Sequence, residues 1–376
     1  MAAKLLFLVT EDWYFLSHRL PMARAARAAG LEVHVATRVV AGRPRIEAEG
    51  FTLHALDWGR RDLDPRRLVG PVRAVRALLR RLQPKLLHNI ALKPALIGSL
   101  AATGFAEIGI VNSINGLGSA YVATGVAGVL KRRLLMQLLP LLLNRARTLT
   151  VVQNPEDKTS LRAFGVPERR LKLIPGSGVD TNWLQPLPEA AGPVTMAYVG
   201  RMLADKGLYN LMATHRLLRA RGSDIELLLA GTPDPENPTS IDPADIAAWA
   251  REPGVSWLGQ VADIREVWAR AHIAVLPSRR EGLPLSLLEA SACGRPLLAT
   301  DVPGCREVVL HGETGWLVPP DDPEQLARAA AHMRSEPVRR RQMGARARVR
   351  AEAEFSVAVV SAMIVDVYRE LEGGNL

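Results

Sequence analysis

Residues 279–296 read RREGLPLSLLEASACGRP, and the reading of this stretch decides the fold. Just upstream, Ile273 to Leu276 is a short apolar run closed by Pro277 and Ser278. A loop carrying Glu281 and Gly282 follows and feeds a helix with Pro284 in its first turn, where the missing N–H of proline would have no partner anyway. Strand, loop and helix in direct succession are the repeating unit of a parallel sheet covered by helices. The first N–H groups of such a helix, here those of Leu283 and Leu285, lack intrahelical acceptors and are aimed at an anion.

Glu281 and Glu289 stand eight positions apart, with only apolar and small residues between them. On a helix turning ~100° per residue, the two carboxylates fall within ~80° of each other, Glu281 at the mouth and Glu289 inside. One carboxylate is therefore expected to be buried. That placement is costly unless a polar ligand lies opposite it, which implies a partner rich in hydroxyls or other donors, such as a sugar nucleotide.

The same alternation extends in both directions. KLLFLVT (4–10), LEVHVAT (31–37), FTLHAL (51–56), KLLHNI (85–90), GIVNSIN (109–115), RTLTVVQ (147–153) and LKLIPG (171–176) are strand-like runs separated by helical patterns. The pattern restarts with VTMAYVG (194–200), IELLLAG (225–231), VSWLGQ (255–260), HIAVLPS and RPLLAT (295–300). Near-continuous apolar strands alternating with helices predict parallel sheets buried on both faces. Between the halves lies GSGVDTNWLQPLPEAAGP (176–193), whose glycines and prolines predict an interdomain hinge. A chain of 376 residues exceeds one ordinary core, so two doubly wound α/β domains are expected, with ligands at the carboxyl ends of their strands.

Hydrophobic residues make up 48% and charged residues 23%, the balance of a folded globular chain and not of a disordered or fibrous one. Two cysteines, Cys293 and Cys305, exclude a disulfide framework, and no Cys/His cluster suggests zinc. Asp62-Leu63-Asp64 imitates a metal-binding Asp-x-Asp, but Asp64-Pro65 fits a helix cap, and no metal or cofactor is expected. Lys4 leads straight into a strand-like run, which argues against a signal peptide and for the cytoplasm. The net charge of +10 comes from arginines scattered over helices without an aromatic stacking platform, so nucleic acid is not the expected partner. Solvated helix faces explain this charge as well as an anionic membrane surface does. The apolar run Leu134 to Leu143, flanked by Lys131, Arg132, Arg133 and Arg145, is too short to span a bilayer and suits either a membrane surface or a buried helix.

Three ordered motifs, VGRMLADKG (199–207), EGLPLSLLEASACGRPLLAT (281–300) and DVPGCREVVLHGETGWLVP (301–319), resemble the retaining glycosyltransferases of family 4, which have the GT-B fold. The resemblance is dense from about Tyr198 to Pro320 and thinner through the first half. There, TEDWYFLSHRLPMA (10–23) and INGLGSAYV (114–122) are similar to the acceptor-side segments of bacterial enzymes that extend a lipid-diphosphate-linked glycan. What it implies is an acceptor-side Rossmann-like domain over residues 1–183, a nucleotide-sugar-binding one over 184–354, and a terminal helix, 355–376, crossing back to the first. The two domains are expected to face a central cleft.

The resemblance also assigns roles. Glu289 is expected to accept both ribose hydroxyls, Glu281 to contact the transferred sugar, and Arg201 and Lys206 to stabilise the departing diphosphate. Gly200, Gly282, Leu283, Pro284 and Leu285 complete the donor site. The alternatives read from the residues alone are a Glu281 pair with Arg279 or Arg280, and a Lys206 pair with Asp205. On the acceptor side the candidates are His18, Arg19, Asn115 and Gly116, with Asn115 near the place where many family members carry a histidine. His88, at a strand end, is expected to be structural. The expected activity is sugar transfer from a UDP-sugar to a lipid-linked glycan at the inner face of the cytoplasmic membrane. A fold-related nucleotide-sugar epimerase and a basic surface-binding protein without catalysis remain the rivals.

Overall fold

A computed structural model describes residues 2–59, 65–115, 137 and 139–374. It divides into two compact units, one of residues 1–177 with 357–376 and one of residues 178–356.

The first unit is built on seven parallel strands: β1 (Lys4–Glu11), β2 (Glu32–Arg38), β3 (Thr52–Ala55), β4 (Leu86–Ile90), β5 (Gly109–Ile114), β6 (Thr148–Val152) and β7 (Leu171–Leu173), in the order β3-β2-β1-β4-β5-β6-β7. Strand order reverses between β1 and β4, and a ligand site is expected at the carboxyl ends there. The apolar run in β1 explains why this sheet is central. Leu5, Phe7 and Val9 enter one core with Val33 and Val35, while Leu6 and Leu8 enter another with Leu79, Leu87 and Ile97. Helix Val357–Leu371 adds Val360, Ile364 and Tyr368 to the first of these cores.

The second unit has six parallel strands: β8 (Thr195–Val199), β9 (Glu226–Ala230), β10 (Val255–Trp257), β11 (Ile273–Leu276), β12 (Leu297–Thr300) and β13 (Gly315–Val318), in the order β10-β9-β8-β11-β12-β13. The order again reverses, here between β8 and β11, so the loops after these two strands lie side by side. β13 is absent from the strand runs read in the sequence. It is a four-residue edge strand with Trp316 and Leu317 half-buried, too short for a periodic signal.

The glycine- and proline-rich segment expected to be a hinge is instead fastened to the second unit over most of its length. Arg348 donates to the carbonyls of Leu184 and Thr181, Leu187 N donates to Cys293 O at 3.2 Å, Arg295 to Pro188 O at 2.7 Å, and Arg340 and Arg341 pair with Glu189. The chain enters and leaves this unit side by side, with Val179 N bonded to Phe355 O at 2.8 Å and Val179 bridged to Ser356. Residues 178–183 and 355–356 therefore go with the second unit, which shifts the limits expected at 183 and 354.

Of the basic, leucine-rich run, residues 131–136 and Leu138 lie outside the described residues, as do Gly116 and Asp62 to Asp64. Its described end is core: Leu139 and Leu143 are buried with Leu96, Ile114 and Leu161, whereas Leu141 is exposed. No described helix is long and apolar enough to cross a membrane.

Candidate functional site

In the second unit the loops after β8 and β11 meet through side chains of both. β8 ends at Val199 and a single 3-10 turn, Ala204–Lys206, precedes helix Leu208–Ala220. Gly207 joins turn to helix at φ 75°, and a Cβ there would lie 1.9 Å from the carbonyl oxygen of Pro277, so only glycine lets the two loops approach. That approach brings Lys206 Nζ to 2.6 Å from Glu281 Oε1. Ser278 Oγ donates to the same oxygen at 2.6 Å, and Thr300 Oγ1 bonds the Ser278 carbonyl. Glu281 Oε1 is thus held by two donors, and the Glu281 side chain is 8% exposed.

The alternative pairings are resolved. Arg279 bonds Asp321 at 2.8 Å and Arg280 bonds Asp205 at 3.1 Å, so neither takes Glu281, and Asp205 does not take Lys206. Arg201 pairs with Asp234 at 2.7 Å and remains 43% exposed, so an anionic ligand can reach its guanidinium. Tyr198, fully buried beneath this loop, donates its hydroxyl to the Arg201 carbonyl at 2.7 Å. Burial raises the Tyr198 pKa well above its usual value, the Glu281 carboxylate adds to the rise, and Arg201 opposes it. Gly200, at φ 156°, leaves room for that hydroxyl, which would be 2.9 Å from a Cβ.

Helix Leu285–Ala292 starts one residue later than the sequence reading placed it, with Pro284 as its cap. Glu281 consequently lies in the preceding loop, and the shared-helix-face argument for the two glutamates does not hold. Loop proximity replaces it. Gly304, at the start of the helix Pro303–Val308, packs against Gly282: a Cβ there would sit 2.5 Å from Gly282 O. Leu283 packs on the core of this unit. Leu285 is the first helical residue, so its N–H has no partner within the helix.

Glu289 sits between Leu288 and Ala290, both buried. Removal from water, with no hydrogen bond to offset it, pushes its carboxyl up to about 8. By accessible surface the residue is half-buried, so the carboxyl is poorly hydrated but not sealed. An ionisable group in that condition, on the helix that follows the loop after β11, is a binding-site signature.

The first unit carries a second cluster at the carboxyl ends of its strands. His18 closes helix Asp12–His18 and Arg19 caps the next helix, Leu20–Ala28. His18 stacks on Tyr14 with ring centroids 4.4 Å apart. Arg19, 1% exposed, donates to Asn115 Oδ1 at 2.7 Å, and Gln153 donates to the same oxygen at 3.2 Å. Asn115 Nδ2 donates to the Tyr14 hydroxyl at 2.8 Å. His88 is interior to β4, bonded at 2.7 Å to both Tyr368 Oη and Ser113 Oγ, and burial holds its pKa well below the usual value.

Ser278, Tyr198, Gln153 and Gly304 were not singled out in the sequence. Only Ser278, three positions before Glu281, carries a local signal, and its place after Pro277 marks the end of a strand.

Two family descriptions match the chain: "Glycosyl transferase 4-like" over residues 4–154 and "Glycosyl transferases group 1" over residues 193–336. The putative glycosyltransferase EpsD of Bacillus subtilis is 26% identical over 384 residues, covering 98% of this chain and 97% of EpsD. The capsular polysaccharide biosynthesis glycosyltransferase CapM of Staphylococcus aureus is 29% identical over 182 residues, 47% of each chain, so the match spans about half the length of that relative. An N,N'-diacetylbacillosaminyl-diphospho-undecaprenol alpha-1,3-N-acetylgalactosaminyltransferase of Campylobacter jejuni is 25% identical over 324 residues, 80% of this chain and 83% of that one. Among solved structures, sucrose-phosphate synthase from Thermosynechococcus elongatus superposes with a TM-score of 0.81 at 23% identity over 99% of this chain and 100% of that one. Anabaena HepE in complex with UDP-glucose gives 0.79 at 18% identity over 98% of this chain and 100% of HepE. These likenesses establish the GT-B fold, with one Rossmann-like sheet in each unit. With one family description in each unit, the chain belongs to the glycosyltransferases of the group 1 and 4-like type.

Proposed function

We propose that this chain is a retaining glycosyltransferase that moves a sugar from a UDP-sugar, in one reading an N-acetylhexosamine donor, to a lipid-diphosphate-linked glycan. Its place is the assembly of cell-surface polysaccharide or glycoconjugate at the inner face of the cytoplasmic membrane, and the chemistry uses no metal. The observation that carries the reading is the contrast between two glutamates of one loop and helix: Glu281 is anchored by Lys206 and Ser278, while Glu289 has no partner for its carboxylate among the described residues. An anchored carboxylate with one oxygen left over suits a sugar hydroxyl, and a poorly hydrated one suits the paired hydroxyls of a ribose. Leu283 and Leu285 N–H groups, Lys206 and Arg201 then supply donors and positive charge to a diphosphate.

In the transfer, the bond from the anomeric carbon to the diphosphate oxygen breaks. The acceptor hydroxyl oxygen bonds to that carbon on the face the diphosphate leaves, and its proton passes to a phosphate oxygen. The protein contributes position and electrostatic stabilisation of the leaving charge. The lipid-diphosphate acceptor is supported by the Campylobacter jejuni relative, whose name specifies a diphospho-undecaprenol acceptor, and the UDP-sugar donor by the HepE complex.

The test is a melting-temperature panel of nucleotide sugars, followed by UDP release measured with and without an undecaprenyl-diphosphate glycan. Stabilisation by UDP-sugars and acceptor-dependent UDP release are expected. No stabilisation by any nucleotide sugar removes the donor assignment, and conversion of one UDP-sugar to another without acceptor makes the protein an epimerase instead.

A further inference from the structure

Arg19 presents an electrostatic problem that the donor site does not explain. Its guanidinium is 1% exposed, its Nε has no hydrogen-bond partner, and no carboxylate among the described residues forms an ion pair with it. The two nearest carboxylates in sequence are committed elsewhere. Asp12 accepts from the backbone N–H groups of Val40, Ala41 and Gly42 and is held below its usual pKa by those bonds against the opposing effect of burial, and Glu11 lies 3.6 Å from Arg38. A buried cation left without a counter-charge is costly. Histidines do not supply one: His18 stacks on Tyr14, and His88, whose own proton affinity Arg19 helps to depress, is bonded to Tyr368 and Ser113.

The hydrogen bonds around Arg19 have a single polarity. Because a guanidinium can only donate, the Asn115 atom 2.7 Å away must be its carbonyl oxygen, and Gln153 donates to that oxygen as well. The amide orientation is therefore fixed by its neighbours, and Asn115 Nδ2 places one N–H on the Tyr14 hydroxyl and has one to spare. Tyr14, having accepted that bond, has its own proton to give. Both groups are half-buried, within reach of a ligand, and both are donors. They stand at the carboxyl ends of β1, β5 and β6, beside the point where strand order reverses.

We propose that this end of the first sheet binds a phosphate-class oxyanion, held by the spare Nδ2–H of Asn115 and the hydroxyl of Tyr14. Arg19 acts as a positioning residue beneath them, orienting the amide and supplying the charge that the anion balances. The inference rests on the transferase reading and deepens it: the ligand is the diphosphate of the acceptor. The alternative source of the same chemistry is the diphosphate of the nucleotide donor.

The experiment is a calorimetric titration of the full-length protein with inorganic pyrophosphate in saturating UDP, then with farnesyl diphosphate. Pyrophosphate is expected to bind with UDP present. Asn115→Asp places a carboxylate of the same shape against Arg19, so it should weaken pyrophosphate about tenfold or more while keeping or raising the melting temperature. Tyr14→Phe should weaken it a few-fold, and Lys206→Ala should leave it unchanged. Farnesyl diphosphate binding more tightly, with the same dependence on Asn115, identifies an isoprenoid carrier; equal affinity restricts recognition to the diphosphate. Loss of all pyrophosphate binding on adding UDP, or parental affinity in Asn115→Asp, overturns the proposal. A protein that binds pyrophosphate but not UDP contradicts the donor assignment alone.

Discussion

Lys206 Nζ and Glu281 Oε1, 75 positions apart in sequence, are separated by 2.6 Å, and Ser278 Oγ completes a three-membered contact around one carboxylate oxygen. The ammonium is held by protein before any ligand arrives, so a diphosphate must share it with Glu281. Lys206→Ala is therefore expected to lower turnover by ~100-fold, the scale for losing one charge-stabilising donor, with a smaller change in donor KM. Glu281→Gln should lower turnover while leaving UDP affinity nearly intact, because Glu281 is assigned to the sugar. Steady-state kinetics beside UDP calorimetry separate these effects. Equal losses of UDP affinity and turnover in Glu281→Gln would move that residue to the nucleotide.

Glu289, with its carboxyl raised to about 8 by burial, carries a proton at neutral pH. Ribose hydroxyls donate to the ionised form and favour it, so UDP binding should expel a proton and tighten as pH rises from 6 to 8, by at most about tenfold per unit. Calorimetry in two buffers of different ionisation heat counts the proton, and Glu289→Gln should abolish its release. The stability linkage has the opposite sense. Since the folded pKa lies above the unfolded value near 4.3, the folded protein binds more protons between those limits, and this contribution is lost as pH rises through 8. UDP binding without proton release would detach Glu289 from the nucleotide.

At Gly207, φ of 75° combines with a Cβ position 1.9 Å from Pro277 O, so alanine is strained in backbone and in space. Gly207→Ala should destabilise the second unit by more than ~1 kcal/mol and reduce turnover together with stability, because the loop bearing Lys206 must retreat. Gly222 also has φ of 75° but has open space around its Cβ position, so Gly222→Ala is the control for strain without collision. Denaturant midpoints decide the case. Equal losses in the two variants would make collision with Pro277 irrelevant.

His88 is fully buried and neutral, with both ring nitrogens bonded. Its pKa is lowered chiefly by burial, so below the unfolded value of about 6.5 the unfolded chain binds the additional proton. The stability from this group is complete above that pH and is lost progressively as pH falls. His54, lowered to about 4 mainly by burial, adds in the same direction. Acid unfolding followed by hydrogen exchange should show strands β1, β4 and β5 opening before β8 and β11, and Tyr368→Phe should cost the first unit about 1–3 kcal/mol by leaving His88 Nδ1 without its partner. Opening of the second unit first would contradict this assignment.

Sequence legibility followed the range of the forces. Strands such as KLLFLVT and HIAVLPS are legible because burial on both faces requires unbroken apolar runs, and the strand runs read in each half form the two sheets. Glu289 is legible because a carboxylate between leucine and alanine on a helix has few inexpensive environments. The partner of Glu281 is not: Arg279 and Arg280 are far nearer to it in sequence than Lys206, Asp205 is the immediate neighbour of Lys206, and only the crossing of two strand-end loops selects the contact. The fastening of the linker by Arg295, Arg340 and Arg348 is invisible for the same reason, since an arginine carries no mark of which distant carbonyl or carboxylate it reaches. Trp316 and Leu317 fail to announce β13 because an edge strand of four residues exposes too much to show a pattern.

Helix Val357–Leu371 fills the core of the first unit, so that unit is assembled from two stretches of chain with the whole second unit inserted between them. During synthesis, residues 178–356 leave the ribosome before Tyr368 does. The second unit can close as soon as it emerges, while the first waits with the cavity around His88 open. A released fragment ending at residue 356 should accordingly protect the second unit against protease and leave the first susceptible, although the first precedes it in the chain. Order along the chain and order of folding are thereby expected to be reversed in this polypeptide.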